Sequence, residues 1–66
     1  MIVSVNGAPR RLDPGSAVEA VVAALGAGGT GTAVAVNGEV VPRSAWASRE
    51  LAAGDSVEVL TAVPGG

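Results

Sequence analysis

The chain has no cysteine, histidine, lysine, tyrosine or phenylalanine among its 66 residues, and its single aromatic side chain is Trp46. Without cysteine there is no disulfide and no thiolate metal site, and without histidine the usual zinc and iron ligands are missing too. The six carboxylates are scattered, without calcium-loop spacing, so no metal site is expected. Catalysis is limited in the same way, because nucleophilic and acid–base enzymes need a group titrating near neutrality or a nucleophile beside a base. Ser4, Ser16, Ser44, Ser48 and Ser56 have no candidate base, so no catalytic residue is assigned and the chain reads as acted upon rather than as an enzyme. All four basic residues are arginine and the net charge is −2, which gives little electrostatic basis for binding nucleic acid. No apolar run is long enough to span a bilayer, and Met1-Ile2-Val3-Ser4 lacks a charged segment followed by an apolar stretch. No membrane association is expected, and a cytoplasmic location is the default.

What is present is a single small domain, of a size that buries only about 60% of its unfolded surface. Residues 1–5 predict a strand with Met1, Val3 and Val5 on one face, and Asn6-Gly7 signals a tight hairpin turn into a second strand over residues 8–12. Pro9 places that strand at an edge, where a missing N–H does no harm. Asp13-Pro14-Gly15 breaks the strand, and Ser16-Ala17-Val18-Glu19 reads as a capping box at a helix start. Val18, Val21, Val22 and Leu25 then form one apolar stripe, and Gly26 is placed to end the helix in a left-handed conformation.

The glycine-rich stretch 26–31 follows a helix and precedes a strand, the reverse of the order a phosphate cradle needs, so it reads as a flexible connector. Residues 32–37 form the next strand, Asn37-Gly38 turns it into Glu39-Val40-Val41, and Pro42 ends that strand. Residues 43–51 carry a short helical or irregular crossover containing Trp46. Gly54-Asp55 leads into a last strand, where Val57 and Val59 alternate with Ser56, Glu58 and Leu60. This order predicts an α+β fold, a mixed sheet wrapped around one main helix, with a later strand parallel to one of the first hairpin. The other sheet face stays partly open, and its apolar residues are expected to form a docking surface. The domain is assigned to residues 1–61 and a flexible C-terminal tail to residues 62–66.

That tail is Ala62-Val63-Pro64-Gly65-Gly66. Glycine has no Cβ, so the main chain at Gly65 and Gly66 can be threaded, extended, into a narrow active site of another protein. The terminal carboxylate is the candidate for chemistry.

The stretch Val34-Ala35-Val36-Asn37-Gly38-Glu39-Val40-Val41-Pro42-Arg43-Ser44-Ala45-Trp46, then Leu51, Gly54-Asp55-Ser56-Val57-Glu58-Val59 and Thr61-Ala62-Val63-Pro64-Gly65-Gly66, resembles the ThiS family, the sulfur carrier proteins of thiamin biosynthesis. The resemblance runs from Val3-Ser4-Val5-Asn6-Gly7 to the last residue. It departs from the family in the glycine richness of residues 26–31, and in Pro64, where many relatives carry glutamine and where proline would stiffen the tail.

The resemblance implies a β-grasp (ubiquitin-like) fold and a chain that binds no cofactor of its own. It implies that a ThiF-like adenylating enzyme of the ubiquitin-activating type uses ATP and magnesium to convert the Gly66 carboxylate to an acyl-adenylate. Sulfur from a cysteine desulfurase or rhodanese-like donor would then leave a thiocarboxylate on Gly66, for use by a ThiG-like thiazole synthase. Gly66 is thus the expected covalent carrier, with Gly65, Pro64 and Val63 threading into the partner's active site. Two other functions stay open: a thiocarboxylate carrier for another pathway, similar to the small subunit of molybdopterin synthase, and a ubiquitin-like protein modifier. Trp46 is expected to fill the core, Arg43 to be a solvated charge beside a turn, and Asn37-Gly38 to serve turn geometry alone.

Overall fold

The computed structural model describes residues 1–62, and Val63, Pro64, Gly65 and Gly66 lie outside the described residues. Alternating valines build the sheet. Ile2–Val5 (β1) turns Val3 and Val5 into the core and leaves Ile2 on the opposite face, following the two-residue period of a strand. Asn6 and Gly7 both adopt positive φ, 50° and 85°, the geometry that matches a two-residue hairpin to the twist of its strands. The chain returns antiparallel as Ala8–Arg11 (β2), with Val5 opposite Ala8 and Ile2 opposite Arg11.

The same pattern recurs in Thr32–Val36 (β3), which buries Val34 and Val36, and the Asn37-Gly38 turn leads to Glu39–Val41 (β4). Ser56–Thr61 (β5) buries Val57 and Val59. The strand order is β2-β1-β5-β3-β4, so the last strand lies in the middle, parallel to β1 and antiparallel to β3. With β2 at an edge, Pro9 sits where its missing N–H is tolerated. This mixed sheet carrying one helix is the expected β-grasp arrangement.

The helix, Val18–Ala24 (α1), buries Val18, Val21 and Val22 against the sheet. Its ends differ from the expectation in two ways. The capping box does not form: Ala17 is the N-cap, and the Ser16 hydroxyl donates instead to the Asp13 carbonyl at 2.7 Å. A short hydroxyl side chain readily takes such a local backbone acceptor. The first helical amides are satisfied from elsewhere in the chain, Val18 N–H donating to the Arg49 carbonyl at 2.9 Å and Glu19 N–H to the Trp46 carbonyl at 3.0 Å. At the other end the apolar stripe stops short of Leu25, which is 37% exposed. Gly26, at φ 69°, donates to Ala23 O and Ala27 N–H donates to Val22 O. This six-to-one closure puts Ala27, rather than Leu25, against the core.

Residues 42–51 cross beneath the helix start. Pro42 opens a 3₁₀ turn, Arg43–Ala45, and Trp46 and Leu51 are buried beyond it. Leu51 N–H donates to Ser16 O, and an antiparallel bridge joins Ala17 to Glu50. Among the described residues the buried apolar cluster consists of valines together with Trp46 and Leu51.

Candidate functional site

The segment of interest is the end of β5, from which the chain continues to the glycine pair. Leu60 pairs with Ala33 and Thr61 with Thr32, and Ala62 N–H then donates to the Gly31 carbonyl at 3.2 Å. Gly31 has φ 89°, and a Cβ added there would lie 2.9 Å from the Ala62 Cβ. Glycine is therefore required at position 31 for its backbone conformation and for the closeness of the two chains.

Gly31 closes a loop that is anchored rather than free. The Arg43 guanidinium donates to the Gly28 carbonyl and to the Gly29 carbonyl, each at 2.7 Å. Its centre lies 4.5 Å from the centroid of the Trp46 ring, in cation–π range. The Trp46 indole N–H in turn donates to the Val41 carbonyl at 2.9 Å. Thr32 adds two contacts, its hydroxyl accepting from Gly28 N–H and its own N–H donating to the Gly29 carbonyl, both at 3.3 Å. The expected flexible connector is thus tied down at Gly28, Gly29 and Gly31. Arg43, expected as a solvated charge, is the group that ties it.

Two asparagines hold the rest of β5. Asn6 N–H donates to Val57 O, and its carboxamide spans Val59, accepting from Val59 N–H at 2.8 Å and donating to Val59 O at 3.1 Å. Asn37 N–H donates to Ser56 O at 2.7 Å, while its side-chain oxygen accepts from Ser56 N–H at 2.9 Å. Its amide nitrogen donates to the Asp55 carboxylate at 3.0 Å, and Asp55 also accepts from Ala52 N–H at 2.8 Å. The bond from Ala52 N–H, then the one from Asn37, holds the Asp55 carboxyl below the usual aspartate value. The reading of Asn37-Gly38 as turn geometry alone is corrected by these side-chain bonds.

The helix-free face of the sheet is open, as expected. Val40 and Leu60 are 74% and 67% exposed, and with Ala33 and Ala35 they border a shallow apolar depression that has Glu58 on its rim. Among the described residues no group of His, Cys, Asp or Glu could hold a metal ion, and no helix is long and apolar enough to cross a membrane.

Of the residues singled out in the sequence, Trp46 fills the core and Arg43 and Asn37 act in backbone fastening. Val63, Pro64, Gly65 and Gly66, the expected threading and carrier residues, fall outside the described residues. Gly31 and Asn6 carry roles that sequence reasoning missed. A signal for Asn6 was present in the recurrence of Val-x-Val-Asn-Gly at residues 3–7 and 34–38. Gly31 has no such mark, being one of several glycines in its stretch.

Comparison with known proteins adds the following. The ThiS family profile matches residues 3–66. The crystal structure of a thiamine biosynthesis protein (ThiS) from Geobacter metallireducens is similar at 33% identity and a TM-score of 0.76, covering 100% of this chain and 100% of that one. The solution structure of a thiamine biosynthesis protein from the same organism is similar at 33% identity and a TM-score of 0.77, covering 100% of this chain and 88% of that one. No curated protein sequence matches the chain.

Proposed function

The chain belongs to the ThiS family, and from that premise we propose that it is a sulfur carrier of thiamin biosynthesis that holds its cargo on the C-terminal carboxylate of Gly66. It is a small carrier protein and not a catalyst. A carboxylate is a poor electrophile, so one of its oxygens must first become part of a leaving group. In the proposed sequence a Gly66 carboxylate oxygen attacks the α-phosphorus of ATP in an activating enzyme, and magnesium pyrophosphate departs. The terminal sulfur of a donor persulfide then attacks the acyl carbon and AMP leaves. A second thiol attacks the donor-side sulfur of the resulting acyl disulfide, so that the donor leaves as a disulfide with that thiol and a thiocarboxylate remains on Gly66. The ATP, the magnesium and every acid–base group belong to the partners, as the residue inventory of this chain requires. A thiazole synthase is the acceptor, and the adenylating enzyme and a cysteine-derived persulfide donor are the other partners.

The observation that carries this reading is the family match extending through Gly65 and Gly66, on a chain whose last described strand, β5, is the central one of the sheet. Glycine at both positions leaves the acyl carbon open to attack in a confined site. The test is intact mass spectrometry after incubation with ATP, magnesium, a persulfide donor and the activating enzyme, beside a control lacking Gly66. A mass gain matching one oxygen replaced by sulfur, absent from the control, is the expected result. No gain, with the activating enzyme shown active on another carrier, would overturn the assignment.

A further inference from the structure

We propose that Arg43 is a positioning residue for sulfur loading, fixing through the glycine loop the point and direction in which the chain leaves the sheet at Ala62. The inference rests on the carrier reading and deepens it. A guanidinium presents its donors in a rigid planar fork, and here two of its nitrogens hold two successive carbonyls, Gly28 and Gly29, at 2.7 Å. The stem cannot swing away freely, because the guanidinium is stacked on Trp46, which is itself buried and bonded to Val41. The loop is thereby tied to the core through a side chain that the surrounding glycines cannot supply. Two residues further on, Gly31 receives the Ala62 N–H and meets the Ala62 side chain so closely that a Cβ on position 31 would collide with it.

Without the Arg43 bonds the loop beyond Ala27, itself held to the helix end by its bond to Val22 O, keeps the Thr32 contacts and the Ala62 bond, in a stretch where glycine imposes little conformational restriction. The chain would then leave β5 over a wider range of directions. A carrier whose reacting carbon is delivered into a partner's site depends on that direction, since small misplacements of a reacting group cost large factors in rate. Docking of the folded domain would be unaffected, so the loss belongs to kcat and not to KM.

The experiment compares wild type with Arg43→Met, which keeps an apolar stem over Trp46 and removes the donors, and with Arg43→Lys, whose single ammonium can serve one carbonyl well. ATP–pyrophosphate exchange by the activating enzyme is measured against carrier concentration. In parallel, amide hydrogen exchange is followed at Ala62 and at Val57 in the folded carriers. The expected result for Arg43→Met is a kcat about tenfold lower with KM within twofold, and Ala62 exchange about tenfold faster with Val57 unchanged. Arg43→Lys should fall between the two.

A purely structural role predicts something else. Partial unfolding would reduce the concentration of competent carrier and raise the apparent KM while leaving kcat at saturation intact. A raised KM alone, an unchanged kcat, or an Ala62 amide indifferent to the substitution would each overturn the positioning role. Failure of the wild-type chain itself to support exchange would overturn the carrier reading, and this outcome is distinct from the others.

Discussion

Asn6 sits where β1 turns away from β5, and its carboxamide replaces the strand that has ended, pairing with both the N–H and the C=O of Val59. Asn6→Ala removes both bonds in a part-buried place and puts alanine at φ 50°. It should cost about 2–3 kcal/mol, the sum of unpaired backbone groups and a left-handed penalty. Asn6→Gly removes the bonds but not the conformational fit, and should cost about 1 kcal/mol less. Urea unfolding of both variants checks this, and a glycine variant as stable as wild type would mean that the side-chain bonds contribute nothing. Asp55 adds a pH dependence. Its carboxyl is held low by Ala52 N–H and Asn37, so the folded chain binds fewer protons there than the unfolded chain. That stabilisation is fully present above the ordinary aspartate range and is lost as pH falls through the lower folded value. Asp55→Ala should therefore be less stable than wild type at neutral pH, with the gap closing in acid below pH about 4. Thermal melts of the pair across that range measure it. The asparagine turns were legible because Asn-Gly specifies positive φ, but the bonds from Asn6 to Val59 span the length of the domain and have no local sign in the sequence.

At the level of elements the strands and the left-handed stop of the helix at Gly26 were legible, and the satisfaction of the helix start was not. Burial in a half-exposed strand follows a period of two, so Val3, Val5, Val57 and Val59 state their own orientation. A helix end depends on which partner reaches its open amides first. The Arg49 and Trp46 carbonyls arrive from a segment nearly thirty residues away, and Ser16 turns to Asp13. Substituting Ser16 should accordingly cost less than a true N-cap, whose loss is typically about 1 kcal/mol. Ser16→Ala is expected below about 0.5 kcal/mol by denaturant unfolding, and a full 1 kcal/mol would restore the capping box. The stripe divides in a similar manner. Val21 is fully buried and Leu25 is not, so Val21→Ala should cost about 2 kcal/mol and Leu25→Ala well under 1 kcal/mol, the reverse of their order of size. Trp46 gives the readout, since the only tryptophan is buried and its emission should shift to the red on unfolding.

For the whole molecule, the last strand to be made occupies the middle of the sheet, flanked by β1 and β3 and pinned along its length by Asn6 and Asn37. A domain of this size has only about 3–10 kcal/mol of stability, and β5 joins the two hairpins of the sheet and buries Val57 and Val59 in the core. The chain thus leaves the sheet from a strand paired on both sides, which under the proposed reading would suit a carrier that presents its last residue to successive partners. The fold class could be derived from element order alone, whereas the carrier role came from the tail and from resemblance, because a carboxylate awaiting activation has no chemistry of its own to show. The role proposed for Gly65 rests on its lack of bulk and not on stability. The buried cluster among the described residues runs from Val3 to Val59, so Gly65→Val should leave the melting temperature within about 2 °C of wild type. Its branched side chain should nevertheless lower adenylation of Gly66 at least tenfold, if the partner's channel admits the chain only in an extended form without a Cβ at this point. Exchange of ATP with pyrophosphate measures the second effect and calorimetry the first. Normal turnover of the valine variant would remove the narrow-channel argument while leaving the proposed role of Gly66 standing, since the expected loss of loading on deletion of Gly66 does not depend on the width of the channel.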